Sequence, residues 1–353
     1  MIEIIAFLDY KGHFGTKKTS WPPNSGMNLS LLQEVFLKSG FILRFEPFSS
    51  IDFKTNKYSG KYCLYTSSED PGNYYKQFLE NLVFGLKEKG AIIIPDYPYL
   101  LAHNNKVFME ILRDLKGLNE LTNIKSKVIG TRQELKNYCI DFQYPIVTKP
   151  AFGSMSKGVK LSKNVKELLK NTKNISYSPN FFNDLKELKR KLKYNGYKRH
   201  SLYRKPFILQ SFISELDHDW KVLVFGNNYY ALRRATRPND FRASGSGIFS
   251  FDNTLPEGLL DFAKNVFQLL NVPNVSLDIA FKNGTFYLIE FQAIYFGTTT
   301  IEKSPHFFTQ SEGKWKIINI KSNLEIVYAE SIINYINKEL SENSYSRNGQ
   351  EGY

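Results

Sequence analysis

The sequence predicts an α/β protein, and two patterns in residues 1–102 support that prediction. Short apolar runs that suit strands alternate with longer runs whose apolar residues recur at helical spacing. Gly40 and Gly90 stand just after two of the helical runs, where a glycine commonly ends a helix. Because strand–helix alternation is typical of parallel sheets, we expect an open parallel sheet in this region.

The predicted elements follow in order along the chain. Strands are expected at Ile4–Leu8, Phe41–Phe45, Lys61–Tyr65 and Ala91–Pro95. Helices are expected at Asn28–Lys38, Asn73–Lys89, Asn104–Leu115, Gly258–Leu270 and Val327–Leu340. Residues 11–27 form a long polar loop, of a length that usually carries a function or is mobile. From Ser341 the chain is polar, and we expect it to fray.

Composition excludes several classes of protein. With 42% hydrophobic and 15% aromatic residues in 353, the chain predicts two or three well-filled globular units, not a disordered polymer. No apolar run is long enough to span a membrane. Cys63 and Cys139 are the only cysteines, which argues against a disulfide framework or a cysteine-based zinc site. The first residues include Glu3 where a secretory leader needs bases, so we expect a cytoplasmic protein.

The net charge is +13, and its sharpest concentration is the run 185–193. Leu185, Leu188 and Leu192 lie at helical spacing within that run. This favours an amphipathic surface helix with a solvated basic face over a nucleic-acid patch. No zinc finger, basic zipper or RNA-recognition signature accompanies the charge. We therefore expect no nucleic-acid partner, and the positive charge favours substrates that are anionic small molecules or peptides.

The stretch 144–159 has the order of a phosphate-binding loop. An apolar strand ends in Lys149, and a small-residue loop, Gly153–Gly158, leads into a second strand. Backbone N–H groups in such a loop can approach phosphate oxygens closely, and Lys149 adds a positive charge. The loop is neither a Walker A sequence nor a Rossmann fingerprint, and a plain hairpin is the alternative explanation.

Two carboxylates lie on a predicted hairpin over residues 275–292. Whether Asp278 shares a face with Glu290 and Gln292 depends on the loop length, because strand side chains alternate. A two-residue loop would place Asp278 on the opposite face, and a three-residue loop, Lys282–Gly284, on the same face. We predict the three-residue loop, which makes an oxygen-rich site for Mg²⁺. A solvent-facing polar hairpin face is the alternative.

A second predicted hairpin, residues 218–235, projects Lys221 and Arg234 from one face. Like charges held together are unfavourable without an anion between them, so we predict a phosphate or carboxylate there. The alternative is that both side chains extend into solvent. The residues that follow favour an anion site, namely Arg237, Arg242 and the loop Gly245-Ser246-Gly247.

In this order, the motifs resemble those of the ATP-grasp ligases, the superfamily of glutathione synthetase, D-alanine–D-alanine ligase and the ribosomal-protein glutamate ligases. The resemblance runs from about Lys106 to Gln292. It implies an ATP-grasp fold, α+β in the nucleotide-binding part, behind an N-terminal Rossmann-like domain. The implied domains are 1–102 (N-terminal), 103–213 (lid subdomain), 214–340 (metal-site subdomain) and 341–353 (flexible tail).

The resemblance also implies roles for individual residues. ATP would be held by Lys106, Lys149, Gly153, Ser154, Ser156, Gly158, Gln210, Phe212, Ile213 and Glu215. Two Mg²⁺ ions, or Mn²⁺ in their place, would be held by Asp278, Glu290 and Gln292. Catalysis would rest on Lys221, Arg234 and Arg242. The chain departs from the family at Ser156, where many members have glycine, and at Gln292, which replaces the usual asparagine.

The implied activity joins a carboxylate to an amine through an acyl phosphate, with release of ADP and phosphate. Residues 293–300 follow the metal residues and are expected to form part of the acceptor site. Two alternatives stay open at this point: an ATP-grasp phosphotransferase acting on a hydroxyl, and a non-catalytic nucleotide-binding module. A homo-oligomer is open as well.

Overall fold

The structure is a computed structural model, and it describes residues 1–18, 20–67, 70–137, 142–153, 158–238, 240–295 and 297–348. The chain forms two compact units. The first comprises Met1–His103, His218–Arg234 and Ile248–Tyr353, and the second comprises Asn104–Asp217 and Ala235–Gly247. The mixture of helices and sheets confirms the predicted α/β class. The four predicted domain bounds stay a prediction.

The strands, in chain order, are β1 Ile2–Leu8, β2 Phe41–Pro47, β3 Tyr62–Leu64, β4 Ile92–Ile94, β5 Ser126–Ile129, β6 Ile146–Pro150, β7 Lys160–Ser162, β8 Phe207–Ser211, β9 His218–Phe225, β10 Asn228–Ala235, β11 Phe249–Ser250, β12 Asn274–Lys282, β13 Thr285–Gln292, β14 Phe307–Ser311 and β15 Lys314–Ile318. The helices are α1 Leu29–Lys38, α2 Tyr74–Glu88, α3 Tyr97–Ala102, α4 Lys106–Leu115, α5 Asn119–Thr122, α6 Val165–Ser176, α7 Phe181–Lys193, α8 Leu259–Leu270, α9 Thr299–Lys303 and α10 Leu324–Asn348. No described helix is both long and apolar enough to cross a membrane.

The first unit opens with the expected parallel sheet, whose strand order is β2-β1-β3-β4. Asn28 begins α1, because its side chain accepts a hydrogen bond from the Leu31 N–H at 3.1 Å. Gly40 and Gly90 follow α1 and α2 with φ angles of +83° and +82°. Only glycine adopts that conformation without strain, so both helices end close to the predicted positions.

The long helix α10 forms one core with both sheets of the first unit. Ile332 and Ile336 are fully buried in a cluster that includes Ile4 of the parallel sheet and Leu223 of the larger sheet. The larger sheet has the order β13-β12-β9-β10-β14-β15, with β11 paired to β10. The helix continues to Asn348, past the position at which we expected the chain to fray.

The polar loop 11–27 is fastened to this core. Phe14 is buried, and Lys17 forms an ion pair with Glu325 at the start of α10, with 2.8 Å between Nζ and Oε1. The Asn28 N–H donates to the same carboxylate at 2.9 Å. Glu325 is 2% exposed, so one buried carboxylate joins the N-terminal loop to the C-terminal helix.

The second unit is built on an antiparallel sheet of order β5-β8-β6-β7. One face carries Ile146, Phe207 and Leu209, which pack against Leu168 of α6. Helix α4 lies against β5 and β8. The buried apolar face fixes the register, because a slip by one residue would turn that face to solvent.

Helix α7 contains the predicted basic run, but its leucines do not pack into the core. Leu185, Leu188 and Leu192 are exposed, whereas Glu187 is buried. The Glu187 carboxylate accepts hydrogen bonds from Arg190 NH1 at 2.8 Å, from the Tyr197 hydroxyl at 2.8 Å and from the His200 N–H at 3.2 Å. The helix is therefore an amphipathic surface helix as predicted, but with an exposed apolar face.

The Glu187 contacts predict a pH-dependent α7. The His200 N–H, followed by the Tyr197 and Arg190 donors, lowers the pKa of Glu187 to about 2 from its ordinary value of 4.5. A lowered folded-state pKa stabilises the helix above pH 4.5, and that contribution is lost as the pH falls towards 2. Hydrogen exchange over residues 181–200, corrected for intrinsic rates, is expected to lose protection in that window.

Glu187→Gln is the matched variant for this experiment, since it keeps the size of the side chain and removes its charge. The variant is expected to show reduced protection already at neutral pH and little further change on acidification. An acid response equal to that of the wild-type protein would contradict the assignment.

Candidate functional site

In the second unit, one face of the sheet carries two of the predicted nucleotide residues. In the register of β6 and β8, Val147 lies opposite Gln210 and Lys149 lies opposite Ile208. Because alternate residues share a face, Lys149 and Gln210 project from the same side of the sheet. The apolar core with α6 lies on the other side.

Lys106 is held at the start of the small-residue loop. Its N–H donates to the Ala151 carbonyl at 2.8 Å, and its Nζ donates to the Gly153 carbonyl at 2.8 Å. Gly153 has a φ of +127°, which favours glycine. Lys106 is thus joined to the loop that follows the strand of Lys149.

Gln210 offers a hydrogen-bond donor that the described residues leave unused. Its Nε2 atom is buried and has no partner among them. A buried donor without a partner costs about 1–3 kcal/mol, so such groups usually meet a ligand or water. A nucleotide base carries acceptors at its edge, and the Gln210 amide therefore fits a nucleotide site.

The other predicted nucleotide residues are placed as follows. The Phe212 ring meets the Phe241 ring edge-on, with 5.8 Å between centroids, and Ile213 beside it is half-buried. Glu215 is exposed, with a φ of +55°. A Cβ on Gly158 would lie 3.1 Å from Pro150 Cγ, so this position has little room for a side chain. Ser154 and Ser156 lie outside the described residues.

In the first unit, the predicted hairpin places Asp278 and Glu290 directly opposite each other, but not by the predicted loop. Lys282 pairs with Thr285, so the loop is the two-residue Asn283-Gly284, and the predicted three-residue loop is wrong. A β-bulge in β13 nevertheless places Asp278 on the same face as Glu290. Asp278 pairs with Glu290 while Ile279 pairs with Leu288, which leaves Ile289 as an extra residue in β13.

The same face continues onto β9 and β10. Lys221 pairs with Asp278 in the register of β9 and β12, so Lys221, Asp278 and Glu290 form a row across three strands. Arg234 on β10 reaches the same row, because its NH2 lies 2.9 Å from Asp278 Oδ2. Lys221 and Arg234 therefore share a face, as predicted.

The anion predicted between the two cations is the chain's own Asp278. Lys221 Nζ lies 3.8 Å from Asp278 Oδ1. Arg234 also holds Asp219 with two hydrogen bonds, from Nε to Oδ1 at 2.7 Å and from NH2 to Oδ2 at 2.8 Å. Asp219 belongs to the stretch Asp219-Trp220-Lys221, which resembles a family motif, but no role was assigned to it from the sequence, although its position two residues before Lys221 places both on one face.

Burial is the largest single effect on the pKa of Asp219, Lys221 and Arg234. Burial raises the pKa of Asp219 against the opposing effect of Arg234, and burial lowers the pKa of Lys221 against the opposing effect of Asp278. Burial also opposes the charge on Arg234, yet Asp278 and Asp219 together raise its pKa. Arg234 is therefore the fixed positive charge of the site.

The donor set on this face suits Mg²⁺. Asp278 and Glu290 supply carboxylates, and Gln292 follows two residues after Glu290 on the same strand. The Gln292 amide nitrogen donates to Glu290 Oε1 at 2.8 Å, which fixes the amide beside the carboxylate. Oxygen ligands of this kind are those that Mg²⁺ prefers. Among the described residues no group of three His, Cys, Asp or Glu side chains could hold a metal ion, so the amide oxygen is the third protein ligand available here.

Arg242 and Arg237, expected beside an anion, bind their own loop. Arg242 forms an ion pair with Asp240, with 2.7 Å between NH2 and Oδ2, and it also contacts the Phe241 ring. Arg237 donates to the carbonyls of Ser246 and Gly245. Catalysis by Arg242 stays a prediction.

The expected acceptor segment lies against the N-terminal loop. The Lys18 N–H donates to Thr298 Oγ1 at 3.4 Å, just before α9. On α9, both carboxylate oxygens of Glu302 are buried and have no hydrogen-bond partner among the described residues. Sequence reasoning missed Glu302, because the short α9 gives no periodic signal to place its faces.

Comparison with known proteins identifies the fold of the chain. No family model matches the chain, and no curated protein matches its sequence. Among solved structures, the D-cycloserine synthetase DcsG aligns over 94% of this chain and 99% of its own, with a TM-score of 0.54 and 10% identity. The chain has the ATP-grasp fold. The ADP complex of the N5-carboxyaminoimidazole ribonucleotide synthetase purK aligns over 87% of this chain and 74% of its own, with a TM-score of 0.50 and 11% identity.

A third solved structure, the ATP-grasp ligase PsnB with a minimal precursor, aligns over 95% of this chain and 99% of its own. Its TM-score is 0.48 and its identity 11%. The structures with TM-scores of 0.54 and 0.50 confirm the predicted ATP-grasp fold, and the resemblance that led to it, at the level of the fold.

Arg234→Met is expected to destabilise the protein by about 3 kcal/mol at neutral pH, because it leaves the buried Asp219 carboxylate without the guanidinium that binds it through two hydrogen bonds. The loss should shrink in acid, because burial raises the pKa of Asp219 and its carboxylate becomes protonated there. Urea unfolding measures both effects. Arg233→Met is the control, since Arg233 lies on the opposite face of β10 and contacts His218. An equal loss in both variants would rule out the charge cluster as the cause.

Proposed function

We propose that this protein is an ATP-dependent ligase that joins a carboxylate to an amine through an acyl phosphate and releases ADP and phosphate. The observation that carries the proposal is the row Lys221–Asp278–Glu290, with Arg234 on the same face, in a chain of the ATP-grasp fold. This row offers metal-binding oxygens and phosphate-binding cations side by side.

The residues divide into two tasks. In the second unit, Lys106 and Lys149 would neutralise the nucleotide phosphates, and the Gln210 amide would bind the base. In the first unit, Lys221 and Arg234 would stabilise the negative charge that develops during phosphoryl transfer. Magnesium, when bound, supplies further neutralisation of the phosphates. Such chemistry needs positioned charge and no side-chain nucleophile.

Asp219 would position Arg234. In the structure Arg234 contacts both Asp219 and Asp278, and it binds Asp219 through two hydrogen bonds. If Asp278 turns to a metal ion, Arg234 keeps a carboxylate that holds its guanidinium plane in place. Phosphate oxygens would then take the remaining donors of Arg234.

The amine would be recognised near α9. Burial of a carboxylate is costly unless it is paired, and both carboxylate oxygens of Glu302 are buried without a hydrogen-bond partner among the described residues. An ammonium group is the partner that its chemistry favours.

The names of two similar structures agree with the proposed ATP-dependent joining of two substrates, since both proteins are synthetases and one was solved with ADP.

ADP release in a screen of acids paired with amines tests this function. We expect ADP only when both an acid and an amine are present, and Lys149→Ala is expected to lower turnover by about 10²-fold, as for loss of one charge-stabilising donor. Lys160→Ala is the matched control, because Lys160 is exposed on the neighbouring strand β7. ADP release with a hydroxyl compound alone would indicate a phosphotransferase, and nucleotide binding without turnover would indicate a binding module.

The metal site has its own test. Glu290→Gln is expected to weaken Mn²⁺ binding, measured by electron paramagnetic resonance with nucleotide present, by at least about tenfold. Glu330→Gln removes the same charge from an exposed position of α10 and should leave the affinity unchanged. Equal Mn²⁺ affinities in the Glu290→Gln variant and the wild-type protein would exclude Glu290 as a ligand.

A further inference from the structure

An exposed apolar stripe runs along the whole of α7. Phe181, Leu185, Leu188 and Leu192 recur at intervals of four, three and four residues, which places them in one line on a helix. Their exposures are 76%, 45%, 42% and 81%, and Phe182 beside them is 77% exposed. Single exposed apolar residues are ordinary, but a continuous line of them marks an interaction surface.

The stripe faces outward because the opposite side of α7 is anchored. Glu187 is 5% exposed and binds the chain that follows the helix, through Tyr197 and the His200 N–H. At 100° per residue, Glu187 lies more than a right angle away from the stripe. The outward position of the leucines is thus fixed by a hydrogen-bonded carboxylate on the other side.

The positive charge of the protein is concentrated in the part of the chain that contains α7. Residues 160–205 contain 14 Lys and Arg against 3 Asp and Glu, a net charge of +11, in a chain whose total is +13. Lys186, Lys189 and Lys193 are exposed and lie along one flank of the stripe. Basic side chains beside an apolar face can extend their charged ends past it while their stems stay in apolar surroundings.

We propose that α7 docks on an anionic lipid surface. The stripe would enter the boundary between headgroups and acyl chains, and the flanking lysines would meet the anionic headgroups. Both features of the helix are then used along its length of about 20 Å. A nucleic acid would meet the lysines but would leave the leucines in water, so the leucine line favours a lipid surface. The proposal does not depend on the ligase activity.

Sedimentation of the full chain with vesicles tests the proposal. We expect binding to phosphatidylcholine vesicles that contain phosphatidylserine, little binding to phosphatidylcholine alone, and release by salt. Phe181→Ser with Leu192→Ser, and separately Lys189→Glu with Lys193→Glu, should each weaken binding by at least about tenfold. All four positions are exposed, so these changes should leave folding intact.

Matched controls lie in the first unit. Leu37→Ser with Ile320→Ser removes two exposed apolar side chains, and Lys314→Glu with Lys321→Glu makes the same change of charge. Both control proteins should bind vesicles as the wild-type protein does. The proposal is overturned if the wild-type protein ignores anionic vesicles, or if the control charge variant loses binding equally. Loss of polyuridylate binding, with vesicle binding intact, in the Lys189→Glu/Lys193→Glu variant would overturn it as well.

Discussion

Arg234 lies between two carboxylates, Asp219 and Asp278, and the candidate metal face depends on that arrangement. The guanidinium joins β10 to β12 across β9, so three strands present their polar side chains in one fixed row. Two further groups lie on this face, Lys221 and Glu290. Together with Arg234 and its two carboxylates, they make two cations and three carboxylates. With every group in its ordinary charged form, the formal charge of the face is −1, which a divalent cation would change to +1 and so prepare the face for phosphate.

Alternation along strands was the most reliable guide that the sequence offered. It predicted that Lys221 and Arg234 share a face, and they do. It also predicted a shared face for Asp278 and Glu290, which is correct, although the loop length used to reach it was wrong. The turn at Asn283-Gly284 is decided by local residues that the prediction misread, whereas the bulge at Ile289 depends on packing against neighbouring strands.

Helical spacing predicted which residues share a face but not which face turns inward. The predicted solvated basic face of α7 implied that its leucines turn inward, whereas the tertiary contacts of Glu187 place them outside. Helix α4 shows the same limit, since its buried residues include Lys106, Glu110 and Arg113. Glu110 and Arg113 form a buried ion pair 2.9 Å apart, and Ser126 donates to Glu110 at 2.6 Å. The sequence of a helix does not show which of its charged residues will be buried with a partner such as Arg113 or Ser126.

The Ile289 bulge separates the tip of the β12–β13 hairpin from its base. Asp278 is paired with Lys221 of β9 on one side and, next to the bulge, with Glu290 of β13 on the other. The four residue pairs between the bulge and the turn therefore only separate the turn from this face. The tip between Asn283 and Gly284 is then a tolerant insertion point. A short epitope placed there would change the outline of the protein without moving the side chains that define its candidate metal face.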